Sequence, residues 1–166
     1  TYNITVGPVW YDGNSPSTFT VTAGASTITV YGDIIGFDCS NNGANLTALD
    51  PLHNTELRLL SCHSNQLTSL DVSKNTYLTA LSCHSNQLTS LDVSHNTQLK
   101  KLYCHSNQLT SLDVSKNTQL KMLYCHGNNL STQALDDIFC ALPDRTSETN
   151  GVIQPVFNSS SSNLAI

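Results

Sequence analysis

Charge is scarce in this chain. Only 11% of its 166 residues are Asp, Glu, Lys or Arg, and positive charge is the scarcer sign, seven Lys and Arg against twelve Asp and Glu. The formal charge of −5 is the wrong sign for a partner held through its phosphates, so nucleic acid is not an expected ligand. No apolar run approaches the roughly 18 residues of a spanning helix, and no transmembrane segment is expected. The chain begins at Thr1 without an initiator Met or a signal peptide, and we read it as a mature or trimmed product. It lacks a Gly-rich phosphate loop after a strand, an HExxH motif and a pair of carboxylates, so we expect no enzyme and assign no catalytic residue, cofactor or metal site. Scarce charge with a 39% apolar share argues for order rather than disorder, and 166 residues suit one continuous domain.

What the sequence does have is a repeat. Cys62-His63-Ser64-Asn65-Gln66-Leu67-Thr68-Ser69-Leu70-Asp71-Val72-Ser73-Lys74-Asn75-Thr76 recurs almost unchanged from Cys83 and from Cys104, a period of 21 residues that Cys125 continues. Cys39 opens an earlier copy two residues longer, the excess lying in Asn41-Asn42-Gly43-Ala44-Asn45. A fixed period of this length signals a solenoid, whose units bury apolar residues only against their neighbours. Leu99-x-x-Leu102-x-Cys104-x-x-Asn107-x-Leu109 fits a leucine-rich repeat with Cys at the third Leu position. Leu67-x-x-Leu70-x-Val72-x-x-Asn75 fits it as well, so each unit nests two half-motifs of eleven and ten residues. Over residues 26–144 the chain resembles the nested, IRREKO-type leucine-rich repeats of secreted or surface proteins in Bacteroides-like bacteria. The resemblance implies a right-handed β-rich solenoid with little helix, located outside the cell or on its surface. Five Cys-bearing strands would form one sheet, with a second parallel sheet opposite it in place of helices.

Residue alternation gives the same picture independently. Leu81-Ser82-Cys83-His84 and Leu70-Asp71-Val72-Ser73 each alternate apolar with polar, the period of a half-buried strand. Leu, Cys and Val then face inward, and equivalent residues of successive coils stack about 4.8 Å apart. Asn65, Asn86, Asn107 and Asn128 form one ladder, and Asn54, Asn75, Asn96 and Asn117 another. At coil corners they are placed to satisfy backbone groups that leave the sheet.

Solenoid ends expose strand edges and require caps. Residues 1–38 are read as an N-terminal β cap, with strands over Thr18-Phe19-Thr20-Val21-Thr22 and Thr27-Ile28-Thr29-Val30-Tyr31 and with Phe37 at the inward position of Leu60 and Leu81. Residues 39–130 are the array, and residues 131–166 a C-terminal cap and tail. Ser131 N-caps a helix whose stripe is Ala134, Leu135, Ile138, Phe139 and Leu142, ending at Pro143. Gly151-Val152-Ile153-Gln154-Pro155-Val156-Phe157 reads as a closing strand, and the run from Ser159 to Ser162 as a solvated tail.

Cys39, Cys62, Cys83, Cys104 and Cys125 share one inward position. In-register neighbours point the same way, which suits neither a disulfide nor a tetrahedral zinc site, so a free buried ladder is expected. Cys140 lies off the helix's apolar stripe, either exposed or covered by the tail. Each array Cys from Cys62 onward precedes a His, yet adjacent strand residues face opposite sides, which rules out a Cys-His nucleophile pair.

The remaining candidate is a surface. Ser61, Ser82, Tyr103 and Tyr124 form one outward row of the Leu-x-Cys strands, and His63, His84, His105 and His126 the next. Such a face is the usual binding surface of a solenoid, and Tyr beside His supplies aromatic area and hydrogen bonding. The function expected is non-enzymatic recognition of a protein or peptide through these eight residues. Adhesion to a glycan or host matrix, with Trp10 and Tyr11 as extra contacts, is one alternative. A structural spacer of a surface protein is another, since the rows also follow from copying one unit. Histidines about 5 Å apart should titrate below the usual 6.5, and a metal ion shared by two of them is a weaker reading because no acidic or Cys ligand joins the row. The outward row Asp50, Asp71, Asp92 and Asp113 is read as structural, its like charges offset by Ser69, Ser90, Ser111, Lys74 and Lys116.

Overall fold

A computed structural model describes residues 2–7, 17–21, 34–42 and 46–142. Its strands are β1 (Tyr2–Gly7), β2 (Ser17–Val21), β3 (Gly36–Asp38), β4 (Leu59–Ser61), β5 (Ala80–Ser82), β6 (Lys101–Tyr103) and β7 (Met122–Tyr124). They join in one sheet of order β2-β1-β3-β4-β5-β6-β7. From β3 onward the pairing is parallel and in repeat register: Leu60 faces Leu81, Leu81 faces Leu102, and Leu102 faces Leu123. This is the expected solenoid, in four turns.

The alternation of the strand sequences sets the packing. Leu57, Leu60, Cys62, Leu67, Leu70 and Val72 of one coil are buried, and their equivalents in the next two coils, with Leu120, Leu123 and Cys125 of the last, stack on them in a single core. Phe37 pairs in register with Leu60 and packs against this core, as its place in the repeat predicts. The five array cysteines are free and at most 4% exposed, and burial pushes the thiols of Cys39 up to about 12 and of Cys125 up to about 11. Cys140 is free and exposed among the described residues. A thiol reagent such as dithionitrobenzoate is therefore expected to titrate one cysteine in native protein and six after unfolding. Fast modification of any array cysteine in the native state would overturn this packing.

The second parallel sheet is absent among the described residues, a correction to the sequence reading. Side chains there do alternate, with Leu70 and Val72 buried and Asp71 exposed. The backbone groups, however, are engaged elsewhere. The N–H of Ser73 donates to Asp71 Oδ1 at 2.9 Å, and the Val72 carbonyl accepts from the Asn75 N–H at 3.0 Å and from Asn96 Nδ2 at 3.0 Å. One backbone bond per coil step links this side, such as Gln87 N–H to the Leu67 carbonyl at 2.8 Å.

Both Asn ladders brace the corners. Asn107 Nδ2 donates to the carbonyls of Cys104, Cys83 and His105, while its Oδ1 accepts from the Leu88 N–H at 3.0 Å. Asn42 extends this ladder to the first coil, donating to the Cys39 carbonyl at 2.8 Å. In the other ladder Asn96 Nδ2 bonds the carbonyls of Val72 and Asn75 and its Oδ1 has no partner among the described residues.

The caps are partly as expected. β2 matches the strand read at Thr18 to Thr22, whereas β1 was not anticipated. β1 lies antiparallel between β2 and β3 and covers the first array edge. Helix α1 (Thr132–Ala141) is N-capped by Ser131 Oγ, which accepts from the Ala134 N–H at 3.1 Å. Ala134 and Ile138 are buried, while Phe139 is 44% exposed, so the stripe turns inward at only part of its width. The strands read at Thr27 to Tyr31 and Gly151 to Phe157, the serine tail, Trp10 and Tyr11 lie outside the described residues.

Candidate functional site

The eight predicted face residues come together on one side of the sheet. Ser61, Ser82, Tyr103 and Tyr124 are the last residues of β4 to β7, in direct register along one row, and all are half-buried. Two residues further, His63, His84, His105 and His126 form the neighbouring row, also half-buried. The extended ladder continues that far, since Ser85 N–H donates to the His105 carbonyl and Ser106 N–H to that of His126. Cys83 is buried behind them, which separates each thiol from the imidazole that follows it.

The imidazoles form an unbroken stack. Ring centroids are 4.3 Å apart for His63 and His84, 4.2 Å for His84 and His105, and 4.6 Å for His105 and His126, with planes within 15° of parallel. Tyr103 and Tyr124 lie beside it with centroids 5.1 Å apart, and Tyr124 is 6.3 Å from His105. The inner ring edges are anchored at one end of the stack: Nδ1 of His63 is 3.0 Å from Ser64 Oγ, and Nδ1 of His84 is 3.1 Å from Ser85 Oγ. Nδ1 of His105 and of His126 is buried without a hydrogen-bond partner among the described residues. No Nε2 of the stack and no hydroxyl of Ser61 or Ser82 has a partner there either. Near-parallel rings aim their nitrogen lone pairs side by side rather than at a common point, so the stack as it stands offers no convergent pair of ligands to a metal ion.

Stacking changes the acid–base behaviour. Burial, and then the neighbouring rings His105, His63 and His126, push His84 down from 6.5 to about 4, and His105 is lowered for the same kind of reason. The face is therefore expected to hold a neutral stretch of stack at pH 7. A group that binds its proton less readily when folded loses stability as pH falls from about 6.5 towards 4. Solvent screening of a half-exposed ring holds that loss to about 1 kcal/mol. NMR titration of the His84 ring should give a midpoint near 4, and a midpoint near 6.5 would show that the stack does not persist in solution.

Sequence reasoning missed a third row. Leu59, Ala80, Lys101 and Met122 open the strands and stand on the same side, two residues before the Ser/Tyr row. Period-two alternation was the signal that could have found them. The Tyr103 hydroxyl donates to Met122 Sδ at 3.7 Å, tying this row to the aromatic one. The other side of the coil is acidic, with a groove lined by Asp50, Asp71 and Asp92 together with Ser69, Ser73 and Ser90. Asp71, Asp92 and Asp113 titrate below the usual carboxylate range, chiefly because each accepts from the backbone N–H two residues on. That bond and the hydroxyl of the same Ser are the main offset to the like charges; Lys74 and Lys116 add a smaller one, as read from the sequence, whereas Ser69, Ser90 and Ser111 are not among the causes.

Residues 97–138 match the family model for leucine-rich repeats in two copies. The fold is a leucine-rich-repeat solenoid. The same fold is found in the functional domain of InlJ from Listeria monocytogenes, a structure described as including a cysteine ladder. It is 40% identical over 62% of this chain and 23% of its own, with a TM-score of 0.57. A leucine-rich-repeat protein of Leptospira interrogans is 25% identical over 58% of this chain and 26% of its own, with a TM-score of 0.55. The chain thus spans about a quarter of the length of either structure. No curated protein matches it. Leucine-rich repeats are usually non-enzymatic modules that bind other proteins, and no described helix is long and apolar enough to cross a membrane.

Proposed function

We propose that the chain is a non-enzymatic binding module that recognises a protein or peptide through the strand face bearing Ser61, Ser82, Tyr103, Tyr124, His63, His84, His105 and His126. The observation that carries this reading is the continuous imidazole stack beside the Tyr103–Tyr124 pair, half-buried and with its outer hydrogen-bonding atoms unused. Such a surface is preorganised: its aromatic groups are held by neighbouring rings and a rigid sheet, so little side-chain freedom is lost on binding. By its likeness to nested repeats of exported bacterial proteins, the module acts outside the cell or on its surface.

The test is a capture screen against surface and matrix proteins and a glycan array, with wild-type protein beside the His84→Ala, Tyr103→Ala, His105→Ala variant. Ligands held by the wild type are expected to be lost by the variant, while its unfolding free energy changes by about 1 kcal/mol or less, as for other surface substitutions. Equal capture by both proteins, or none by either, would leave a spacer as the better reading. Capture of glycans alone would turn it into an adhesin of the second kind considered.

A further inference from the structure

The strand face is not uniform along the solenoid. Its first half carries Asp38 at the head of the Ser61–Ser82 row, with small or aliphatic neighbours Leu59 and Ala80 and one cation, the exposed Arg58, directly before β4, while Thr79 precedes β5. Its second half carries Lys101, Met122, Tyr103 and Tyr124, and the exposed Lys100 and Lys121 stand directly before β6 and β7. These two lysines are adjacent, since the Lys121 N–H donates to the Lys100 carbonyl at 2.8 Å. None of the three lysines is ion-paired among the described residues. Three cations thus flank one patch of a chain whose net charge is −5, while the Asp row lines the far side of the coil.

This segregation selects the ligand's charge and its chemistry. Anions are attracted to the second half of the strand face and repelled from the opposite side. Among the described residues, the strand rows of the patch hold no carboxylate or carboxamide to bracket sugar hydroxyls. Its floor is Tyr103, Tyr124 and the Met122 thioether, which suit an apolar side chain. Along β6 and its extension, Lys101, Tyr103 and His105 recur every second residue, about 6.6 to 6.8 Å apart. An extended peptide lying along them presents its own alternate side chains at that same spacing.

Resting on the binding-module reading above, we propose that this half of the face binds an extended acidic peptide of the pattern carboxylate-x-apolar-x-carboxylate. One carboxylate meets Lys101 and Lys121, the apolar side chain lies on the two tyrosines, and the other carboxylate accepts from the N–H groups of His105 and His126. The pattern reads the same in either chain direction.

The test is fluorescence anisotropy of the whole chain with a labelled Glu-Ala-Phe-Ala-Glu peptide at low salt. Saturable binding is expected, at least about tenfold weaker for Lys-Ala-Phe-Ala-Lys, for Glu-Phe-Glu without spacers, and for the Lys101→Glu, Lys121→Glu variant, whose exposed substitutions should leave the melting curve unchanged. Equal affinity for the charge-swapped or unspaced peptide, or no binding at all, overturns the proposal. Charge-dependent binding of a heparin oligosaccharide without peptide binding overturns it too. A screen ligand lost by the His84, Tyr103, His105 triple-Ala variant but kept by the double Lys→Glu variant would refute the acidic-peptide inference and leave the binding module standing.

Discussion

Exchanging Asn107 for Asp, which replaces one NH2 group by one oxygen, is expected to lower the unfolding free energy by about 3 to 5 kcal/mol at neutral pH. Asn107 is 7% exposed and its Nδ2 lies 3.1 Å from the carbonyls of both Cys83 and Cys104. A carboxylate oxygen at that place faces acceptors in a site where water cannot intervene. The other oxygen still accepts from the Leu88 N–H, so that bond survives the exchange. Asn107→Ala is the milder change, about 2 to 3 kcal/mol. Each Cys carbonyl keeps a second Asn, because Cys83 also accepts from Asn86 and Cys104 from Asn128, and only the Leu88 N–H is orphaned. Urea unfolding of the three proteins would give the order directly, and an Asp variant within 1 kcal/mol of wild type would show that the ladder is not a brace.

The second large effect belongs to the core. Leu102→Ala is expected to cost about 3 to 4 kcal/mol, because Leu102 is 0% exposed and is held in register between Leu81 and Leu123. Neighbouring coils are fixed to each other by the sheet and both Asn ladders, so the void cannot close by a small shift of one element. Removing the next side chain, Tyr103→Ala, should cost about 1 kcal/mol at most, since that ring is only half-buried. A Leu102→Ala cost below 1 kcal/mol in the same urea experiment would mean that the coils do relax around the gap.

Side-chain direction was legible in the sequence because it depends only on local alternation. The inward Leu and Cys positions, the two Asn ladders and the Ser/Tyr and His rows all follow from it. Backbone partnership was less legible. Leu70-Asp71-Val72 alternates as a strand does, yet Asp71 captures the Ser73 N–H and Asn96 the Val72 carbonyl, so no sheet forms there. The same local turn, more than the charges nearby, tunes the Asp row. Long-range pairing was also hidden: nothing near Tyr2 announces that β1 inserts between β2 and β3. The corner after each His illustrates a weaker signal. Ser64, Ser85 and Ser106 have φ of 54 to 56°, a left-handed conformation that Ser seldom adopts. Gly127 and Asn41 at the same place in the repeat, with φ 63° and 59°, are the residues that betray it in the sequence. Closeness supplies the rest, since a Cβ on Gly127 would stand 3.3 Å from the Ser106 nitrogen.

The sharing of the Cys39, Cys62, Cys83 and Cys104 carbonyls by two successive asparagines makes the coil junctions interchangeable. Excising residues 63–83 would join Cys62 to His84 and present Asn86 to the same Cys carbonyls that Asn65 now serves, with the core and sheet register intact. The array behaves as a ruler graduated in steps of 21 residues and about 4.8 Å, whose reach can be reset by whole coils without redesigning any joint. The two aromatic coils at its far end would then be carried nearer to, or further from, the β1–β2 cap as an intact cassette.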